Sequence, residues 1–385
     1  MLRRLPRRFF ARLTVAAAFV ALALPVAPGN GSPLIPLALS PFVGLNAALA
    51  ARGMTVATAL AALASVVVIV RRRWLCRRVC PVGLLVDILR LLRGSRLERH
   101  VSAPAVGRWL VWLTLGAAVA GFPLFLWLDP FALFSGALTA RGDGATWALA
   151  VGLLAVVAIS LWRSHLWCGR LCALGAAQDV LFAVRRLRGR AQDRNPLSGT
   201  GFTRRTWLAV GSGVAAGVIG LRFGPARGAS LRPPGAAPDP DFGGLCARCG
   251  SCIRVCPSGI IKPDVRPAAA TGFLAPTVRF ESGYCLETCH RCAQVCPSGA
   301  IARLSLEAKR RAIIGLARLD AEVCWLSEEK ECGVCVNRCP YQAISLVFDQ
   351  EAYVSLPRVA ADRCNGCGAC ELVCPTKPKA IKVTA

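Results

Sequence analysis

Cysteine is the residue type whose spacing most plainly predicts chemistry in this 385-residue chain, which contains 20 of them. Sixteen form four copies of one motif, in which three cysteines at short intervals are followed by a fourth cysteine and then a proline. The first cysteines of successive copies lie 39, 39 and 40 residues apart, so the motif is an internal repeat. The copies are Cys246, Cys249, Cys252 and Cys256; Cys285, Cys289, Cys292 and Cys296; Cys324, Cys332, Cys335 and Cys339; and Cys364, Cys367, Cys370 and Cys374.

This spacing is that of bacterial ferredoxins, in which three thiolates hold one [4Fe-4S] cube and the fourth ligates a neighbouring cube. Zinc ribbons and disulfide scaffolds also concentrate cysteine, but neither predicts triplets followed four times by Cys-Pro. The repeat therefore predicts four [4Fe-4S] clusters, held as metal sites by these sixteen cysteines in two ferredoxin-like pairs. The spacing leaves two pairings open: neighbouring motifs, or the first motif with the fourth and the second with the third.

The remaining four cysteines form a second repeat, because Cys76 and Cys80 recur as Cys168 and Cys172 at an offset of 92 residues. Both copies read Cys-x-Arg-x-Cys-x2-Gly-x3-Asp-[Ile/Val]-Leu. If two equivalent helix hairpins bring the pairs together, four thiolates meet at one additional metal or redox site, which would hold a fifth cluster. The alternative is structural, since cysteines four residues apart share one helix face and serve as small apolar side chains.

Composition predicts a membrane-embedded half. Hydrophobic residues make up 55% of the chain and the mean hydropathy is +0.50, which is too apolar for one soluble globule. Of the net charge of +26, an excess of +22 lies before residue 240 and only +4 after it. A basic excess confined to the apolar half is typical of the positive-inside rule and argues against nucleic acid as a partner.

Four apolar segments (13–27, 55–70, 109–128 and 145–162) predict transmembrane helices. All Arg-rich segments then fall on the cytoplasmic side, together with the N-terminus. We expect an α-helical membrane bundle of four to five transmembrane helices in two pseudo-symmetric hairpins, and an α+β ferredoxin-like domain with two pairs of [4Fe-4S] modules. The predicted parts are a membrane domain at 1–184, a linker region with a fifth apolar helix at 185–244, and a polyferredoxin domain at 245–385.

The linker region contains a twin-arginine-like signal. Thr203-Arg204-Arg205-Thr206-Trp207-Leu208 precedes a Gly-rich apolar run, and this order is that of an export signal for proteins that cross the membrane already folded. The alternative is an ordinary basic helix flank. Residues 222–244 are rich in Pro and Gly and predict an extended linker with no core of its own.

These motifs resemble two known families. The tandem motifs after Arg204-Arg205 resemble the MauM/NapG ferredoxin-type proteins, which implies export and four [4Fe-4S] clusters. The first half, with Cys76-x3-Cys80-Pro81 and Cys168-x3-Cys172, is similar to the NapH/MauN membrane proteins, which implies that electrons come from quinol. The chain departs from these families at Ala173, where the membrane family has proline after the second cysteine, and in the seven residues between Cys324 and Cys332.

The predicted function is electron transfer at the bacterial inner membrane, from the quinol pool through the clusters to a partner reductase or redox enzyme in the periplasm. The alternative is a maturation factor that supplies electrons during cofactor assembly of another metalloenzyme. Asp87, Asp179 and His165 are the candidates to accept quinol protons, unless they are simply solvated helix ends. No independent catalytic motif is present in the sequence.

One constraint opposes this prediction. Cytoplasmic Cys-x3-Cys pairs and periplasmic ferredoxin motifs would be separated by about 30 Å of hydrocarbon. Either the cysteine pairs lie outside the electron path, or the ferredoxin domain is cytoplasmic and the 207–221 segment does not span.

Overall fold

The computed structural model describes residues 7–23, 37–93, 104–140, 144–163, 166–189, 203–223, 230–266, 272–328, 330–350 and 353–385. Its first half is helical and its second half combines short helices with three small sheets. His165 lies outside these ranges. So do residues 190–202, the middle of the basic segment at 185–205.

Ten helices are described in the first half. They are α1 (Arg7–Ala23), α2 (Pro41–Ala51), α3 (Val56–Val70), α4 (Trp74–Arg78), α5 (Pro81–Arg93), α6 (Val106–Val119), α7 (Pro130–Ala137), α8 (Gly144–Trp162), α9 (Ala173–Gly189) and α10 (Arg204–Phe223). A 3-10 turn at Leu126–Leu128 precedes α7, and a π-turn at Trp167–Leu171 carries the third cysteine of the Cys-x3-Cys repeat.

The second half is built from short elements between the cysteine motifs. Its described helices are α11 (Asp241–Leu245), α12 (Ser251–Val255), α13 (Arg291–Gln294), α14 (Leu306–Arg311), α15 (Val334–Arg338) and α16 (Ala369–Val373). The strands β1 (Ile261–Pro263) and β2 (Pro276–Val278), β3 (Leu316–Leu319) and β6 (Ile381–Thr384), and β4 (Ile344–Asp349) and β5 (Val354–Val359) pair antiparallel. Such short elements leave most of the packing to the cysteine loops.

Helix length distinguishes α8 from the other apolar helices. Among the described residues it alone has the length and composition to cross a membrane unaided. Only 28% of its most apolar 18-residue stretch is buried. The other apolar helices, including Val56–Val70 and Val106–Val119, are 10–17 residues long. The expected count of four to five spanning helices is therefore not met by length and composition, and a single such helix is a weak indicator of a membrane.

Small residues bring α6 and α10 into close parallel contact. A Cβ atom on Gly213 would lie 2.2 Å from the Leu113 carbonyl oxygen, and one on Gly116 would lie 2.2 Å from that of Val210. Gly217 faces Ala117 in the same way one turn further on. Spacing of four residues between small side chains lets two helix backbones approach closely, so the helix that follows Arg204-Arg205 is part of the bundle.

The linker predicted at 222–244 is described at 222–223, where α10 ends, and from residue 230 onward, where it packs into the core of the ferredoxin half. Phe242 is completely buried, and the Arg232 guanidinium lies 4.8 Å from its ring centroid. Arg232 Nε also donates to the Asp239 carboxylate at 3.2 Å. This ion pair folds the Pro-rich segment over Phe242, which composition alone did not reveal.

Leucine in place of Gly213 should separate α6 from α10, because the side chain would have to occupy space filled by the Leu113 backbone. We expect a loss of about 1–3 kcal/mol in the free energy of unfolding, typical of overpacking. Gly211 is the matched control, since a Cβ there would meet nothing within 4 Å. Thermal unfolding of both variants in detergent measures the difference; equal midpoints for Gly213→Leu and Gly211→Leu would contradict the close packing.

Candidate metal centres

The first two motifs exchange their fourth cysteines. Cys246, Cys249 and Cys252 line one cavity together with Cys296 from the second motif. Cys285, Cys289 and Cys292 line another together with Cys256 from the first motif. The first and second motifs therefore form one pair of candidate [4Fe-4S] sites.

The third and fourth motifs exchange cysteines in the same way. Cys324, Cys332 and Cys335 share a cavity with Cys374 of the fourth motif. In the fourth motif, Cys370 interacts electrostatically with Cys367, Cys364 and then Cys339 of the third motif. Of the two pairings that the sequence left open, the structure has the neighbouring one.

Burial makes these sulfurs poor thiolates without a metal. Desolvation, together with the nearby thiolates, raises the pKa of Cys246 to about 12 and that of Cys292 to about 12. Cys374 differs: burial raises its pKa, but hydrogen bonds from Thr376 and the Ile381 amide outweigh burial and lower it. A positively charged iron core would relieve the repulsion in each quartet, because metal binding requires and stabilises the thiolate form.

Backbone amides are already directed at the sulfur atoms. Arg248 N donates to Cys246 Sγ at 3.4 Å, Ile301 N to Cys296 Sγ at 3.4 Å, and Ala343 N to Cys339 Sγ at 3.3 Å. Hydrogen bonds to cluster sulfurs are among the factors that set reduction potentials. No described group of three His, Cys, Asp or Glu side chains closes around a single metal ion. The motif spacing and these amides fit a [4Fe-4S] cube.

The second and fourth motifs lie next to each other. Cys285 N donates to the Cys367 carbonyl oxygen at 2.8 Å. The Tyr341 hydroxyl lies near both, and burial raises its pKa to about 12. The four sites therefore follow each other in the spatial order first, second, fourth, third.

A buried cation beside the second site was missed by the sequence interpretation. Lys309 in α14 is 0% exposed, and its Nζ donates to the Leu286 carbonyl oxygen and interacts with Cys285. The lysine lies between two motifs in an ordinary basic run, so only the tertiary structure reveals it. Its charge favours the more negative, reduced state of a bound cluster.

The Cys-x3-Cys repeat also forms a quartet, inside the helical half. Cys172 interacts electrostatically with Cys76, Cys168 and Cys80. Gln178 connects the two copies, because its Nε2 donates to Cys76 Sγ at 3.0 Å and its Oε1 accepts from Leu75 N at 3.2 Å. The four thiols therefore lie in one region of the helical half, and a metal or redox site shared by all four stays a prediction.

The glycines and aspartates of that repeat have equivalent roles in the two copies. Gly83 N donates to Cys80 Sγ and Gly175 N to Cys172 Sγ, both at 3.4 Å. Asp87 is ion-paired with Arg12, and Asp179 with Arg72 and Arg73. Both candidate proton acceptors that the structure describes thus lie in ion pairs. The third candidate, His165, lies outside the described residues.

Replacing a fourth cysteine should damage the neighbouring motif's site. We expect Cys296→Ser to abolish the same EPR signal as Cys246→Ser and to remove about four irons per chain. Cys256→Ser should instead match Cys285→Ser. Iron analysis and EPR of the reduced variants check this. Loss of the Cys285 signal in Cys296→Ser would contradict the exchanged ligands.

Removing the Lys309 charge should lower the reduction potential of the second site. We expect Lys309→Met to lower it by roughly 60 mV, which corresponds to a tenfold change in a one-electron equilibrium constant. Redox titration followed by EPR measures this. Lys330→Met is the control, because Lys330 is 60% exposed in an ion pair with Glu328; equal shifts in both variants would refute a specific effect of burial.

Comparisons with known proteins agree with both sets of cysteines. The 4Fe-4S dicluster domain family matches residues 245–300 and 330–377, which contain the exchanged pairs except for Cys324. A 4Fe-4S binding domain family matches residues 53–100 and 145–191, one match for each copy of the Cys-x3-Cys repeat. No solved structure matches the chain.

Curated relatives are ferredoxin-type proteins. The methylamine utilization ferredoxin-type protein MauM of Methylobacillus flagellatus is 35% identical over 194 residues, which cover 47% of this chain and 79% of MauM. The ferredoxin-type protein NapG of Escherichia coli is 38% identical over 203 residues, or 47% of this chain and 83% of NapG. The ferredoxin-type protein NapF of Haemophilus influenzae is 35% identical over 146 residues, or 38% and 74%. The chain is an iron-sulfur electron-transfer protein with 4Fe-4S ferredoxin-like domains, and it belongs to the MauM/NapG family of ferredoxin-type proteins.

Proposed function

We propose that this chain is a membrane-anchored electron-transfer protein that takes electrons from quinol and delivers them to a periplasmic redox partner. The observation that carries the proposal is the joining of five cysteine quartets in one structure, four in the ferredoxin half and one in the helical half. Bound [4Fe-4S] clusters supply one-electron redox chemistry. The sixteen motif cysteines would hold four of them, and the helical quartet a fifth.

An exposed apolar surface supports membrane anchoring despite the short helices. Large apolar side chains face outward on α3, α8 and α10, and most are more than half exposed: Leu63, Val66, Trp147, Val151, Leu154, Trp162, Leu208 and Ile219. Exposed large apolar side chains on three helices are expected where a surface contacts lipid or a partner. We propose that these helices, with α1 and α6, form the membrane bundle similar to NapH/MauN proteins.

Helix polarity supports a periplasmic ferredoxin half. Helix α6 has Arg108 in its first turn and α10 begins at Arg204. Their far ends meet the ferredoxin half, where Phe122 packs against Gly220 and Gly244. Helix α3 runs the opposite way and ends at Arg71. The basic ends therefore lie away from the ferredoxin half, and the positive-inside rule assigns them to the cytoplasm.

Quinol oxidation also requires groups that accept two protons. Asp87 and Asp179, at the same end of the bundle as the helical quartet, remain the proposed acceptors together with His165. Because arginines pair with both carboxylates, each would accept a proton only after its ion pair opens. A quinol site near these residues therefore requires a local rearrangement that the ion pairs resist.

Iron content tests the fifth site. We expect about twenty irons per chain, from five cubes of four, and about sixteen in the double variant Cys80→Ser and Cys172→Ser. Anaerobically purified protein in detergent serves for the assay. Equal iron content in the two proteins would contradict a cluster at the helical quartet.

Quinol reactivity tests the electron source. Addition of a reduced quinone analogue to the oxidised protein should bleach its iron-sulfur absorbance, and the double variant should bleach at least about tenfold more slowly, since its proposed entry site is lost. Indifference of the intact protein to quinols would refute the proposal. A deletion strain whose periplasmic enzyme is present but lacks its cofactor would instead favour a maturation role.

A further inference from the structure

The two short helices α2 and α7 form a third internal repeat. Leu37-Ala38-Leu39-Ser40-Pro41-Phe42 and Leu126-Trp127-Leu128-Asp129-Pro130-Phe131 match at an offset of 89 residues, close to that of the cysteine pairs. In both copies the fourth residue caps a helix that begins with proline. The repeat unit of the bundle thus contains a short helix as well as a Cys-x3-Cys pair.

The starts of these helices meet at the centre of the bundle. Ser40 Oγ donates to Asp129 Oδ2 at 2.5 Å, and both residues are 0% exposed. Asp129 Oδ1 accepts from the Phe131 and Ala132 amides, and its carboxylate interacts electrostatically with Cys80 of the helical quartet. Equivalent residues therefore contact each other beside the quartet, as expected near a pseudo-twofold axis.

The other end of α7 is attached to the first ferredoxin motif. Ser135 Oγ donates to the Cys249 carbonyl oxygen at 2.8 Å. Arg254 reaches back from α12, donating to Ser135 Oγ at 2.8 Å and to Thr139 Oγ1 at 2.7 Å. These three side chains, with the Cys249 carbonyl, are called the Arg254 clamp.

A single hydrophobic core connects the two ends. Cys80 and Cys172 of the helical quartet belong to the same buried cluster as Phe131 of α7 and Cys249 of the first motif. Helix α7 has eight residues and is about 12 Å long. This helix is shorter than the about 30 Å thickness of the hydrocarbon core.

We infer that α7 couples the helical quartet to the first ferredoxin site, and that Arg254 and Ser135 are positioning residues that hold this site against the end of α7. The part of the inference that concerns electron transfer rests on the proposed function, whereas the hydrogen bonds between α7 and the first motif do not depend on it. It assigns electron entry into the ferredoxin half to the first site, with the third site furthest away in the spatial order of the quartets.

Arg254→Met tests the clamp, because methionine retains much of the side-chain length and removes every guanidinium hydrogen bond. In the holoprotein we expect hydrogen exchange at 133–140 and 246–256 to rise about tenfold, consistent with the loss of one or two hydrogen bonds. Arg338→Met is the control: Arg338 also precedes the fourth cysteine of its motif, but its guanidinium lies over the Tyr284 ring. Ser135→Ala should raise exchange in the same two segments, to a smaller extent.

The second readout is the magnetic interaction between the helical-quartet cluster and the first ferredoxin cluster, measured by EPR after chemical reduction without quinol. Arg254→Met should weaken it at unchanged iron content, and Arg338→Met should preserve it. Unchanged exchange and unchanged magnetic interaction in Arg254→Met would overturn the inference. Because neither readout uses quinol, an intact clamp in a protein that ignores quinol would count against the proposed function alone.

Discussion

The exchange of cysteines between neighbouring motifs is the constraint on which the ferredoxin half depends. Each site takes three sulfurs from one loop and its fourth from another, so neither site of a pair can be completed until both loops are in place. The sheets between the motifs have only two strands each, and they are too small to be stable alone. Iron-sulfur ligation would therefore add to the hydrophobic core that the motifs and strands share, as metal binding stabilises other small domains.

Duplication imposes a corresponding order on the helical half. Its two units each contribute a short capped helix, a Cys-x3-Cys pair, a glycine whose amide reaches a sulfur, and an aspartate paired with arginine. The two units contact each other through Ser40 and Asp129, which occupy equivalent positions. A second contact joins Gln178 of one unit to Cys76 of the other. The symmetry is broken where α7, through Ser135, reaches Cys249. One unit therefore holds the first ferredoxin site through polar contacts, whereas α2 meets the neighbouring core through Ala50.

Much of the site could be predicted from the sequence because ligand spacing is local. The four ferredoxin motifs and the repeat around Cys76 and Cys168 can be recognised from their spacing. Which ferredoxin motifs exchange their fourth cysteines required the tertiary structure. Lys309 gave no signal, since burial of a lysine depends on elements distant in sequence. The repeat of α2 and α7 is harder to recognise in the sequence, because it is short and proline is compatible with a loop as well as with the first turn of a helix. The packing of the predicted linker could not be read from the sequence for a related reason: composition does not show that Arg232 and Phe242 pack together.

The placement of the quartets also bears on the gap of about 30 Å that the sequence predicted between them. The eight-residue helix α7, about 12 Å long, connects the region of the helical quartet to the first ferredoxin motif. The most direct test is a structure of the anaerobically purified protein with anomalous scattering recorded at the iron edge. The account predicts five iron peaks, the fifth between Cys80 and Cys172 beside Asp129. Four peaks, with none in the helical half, would contradict it.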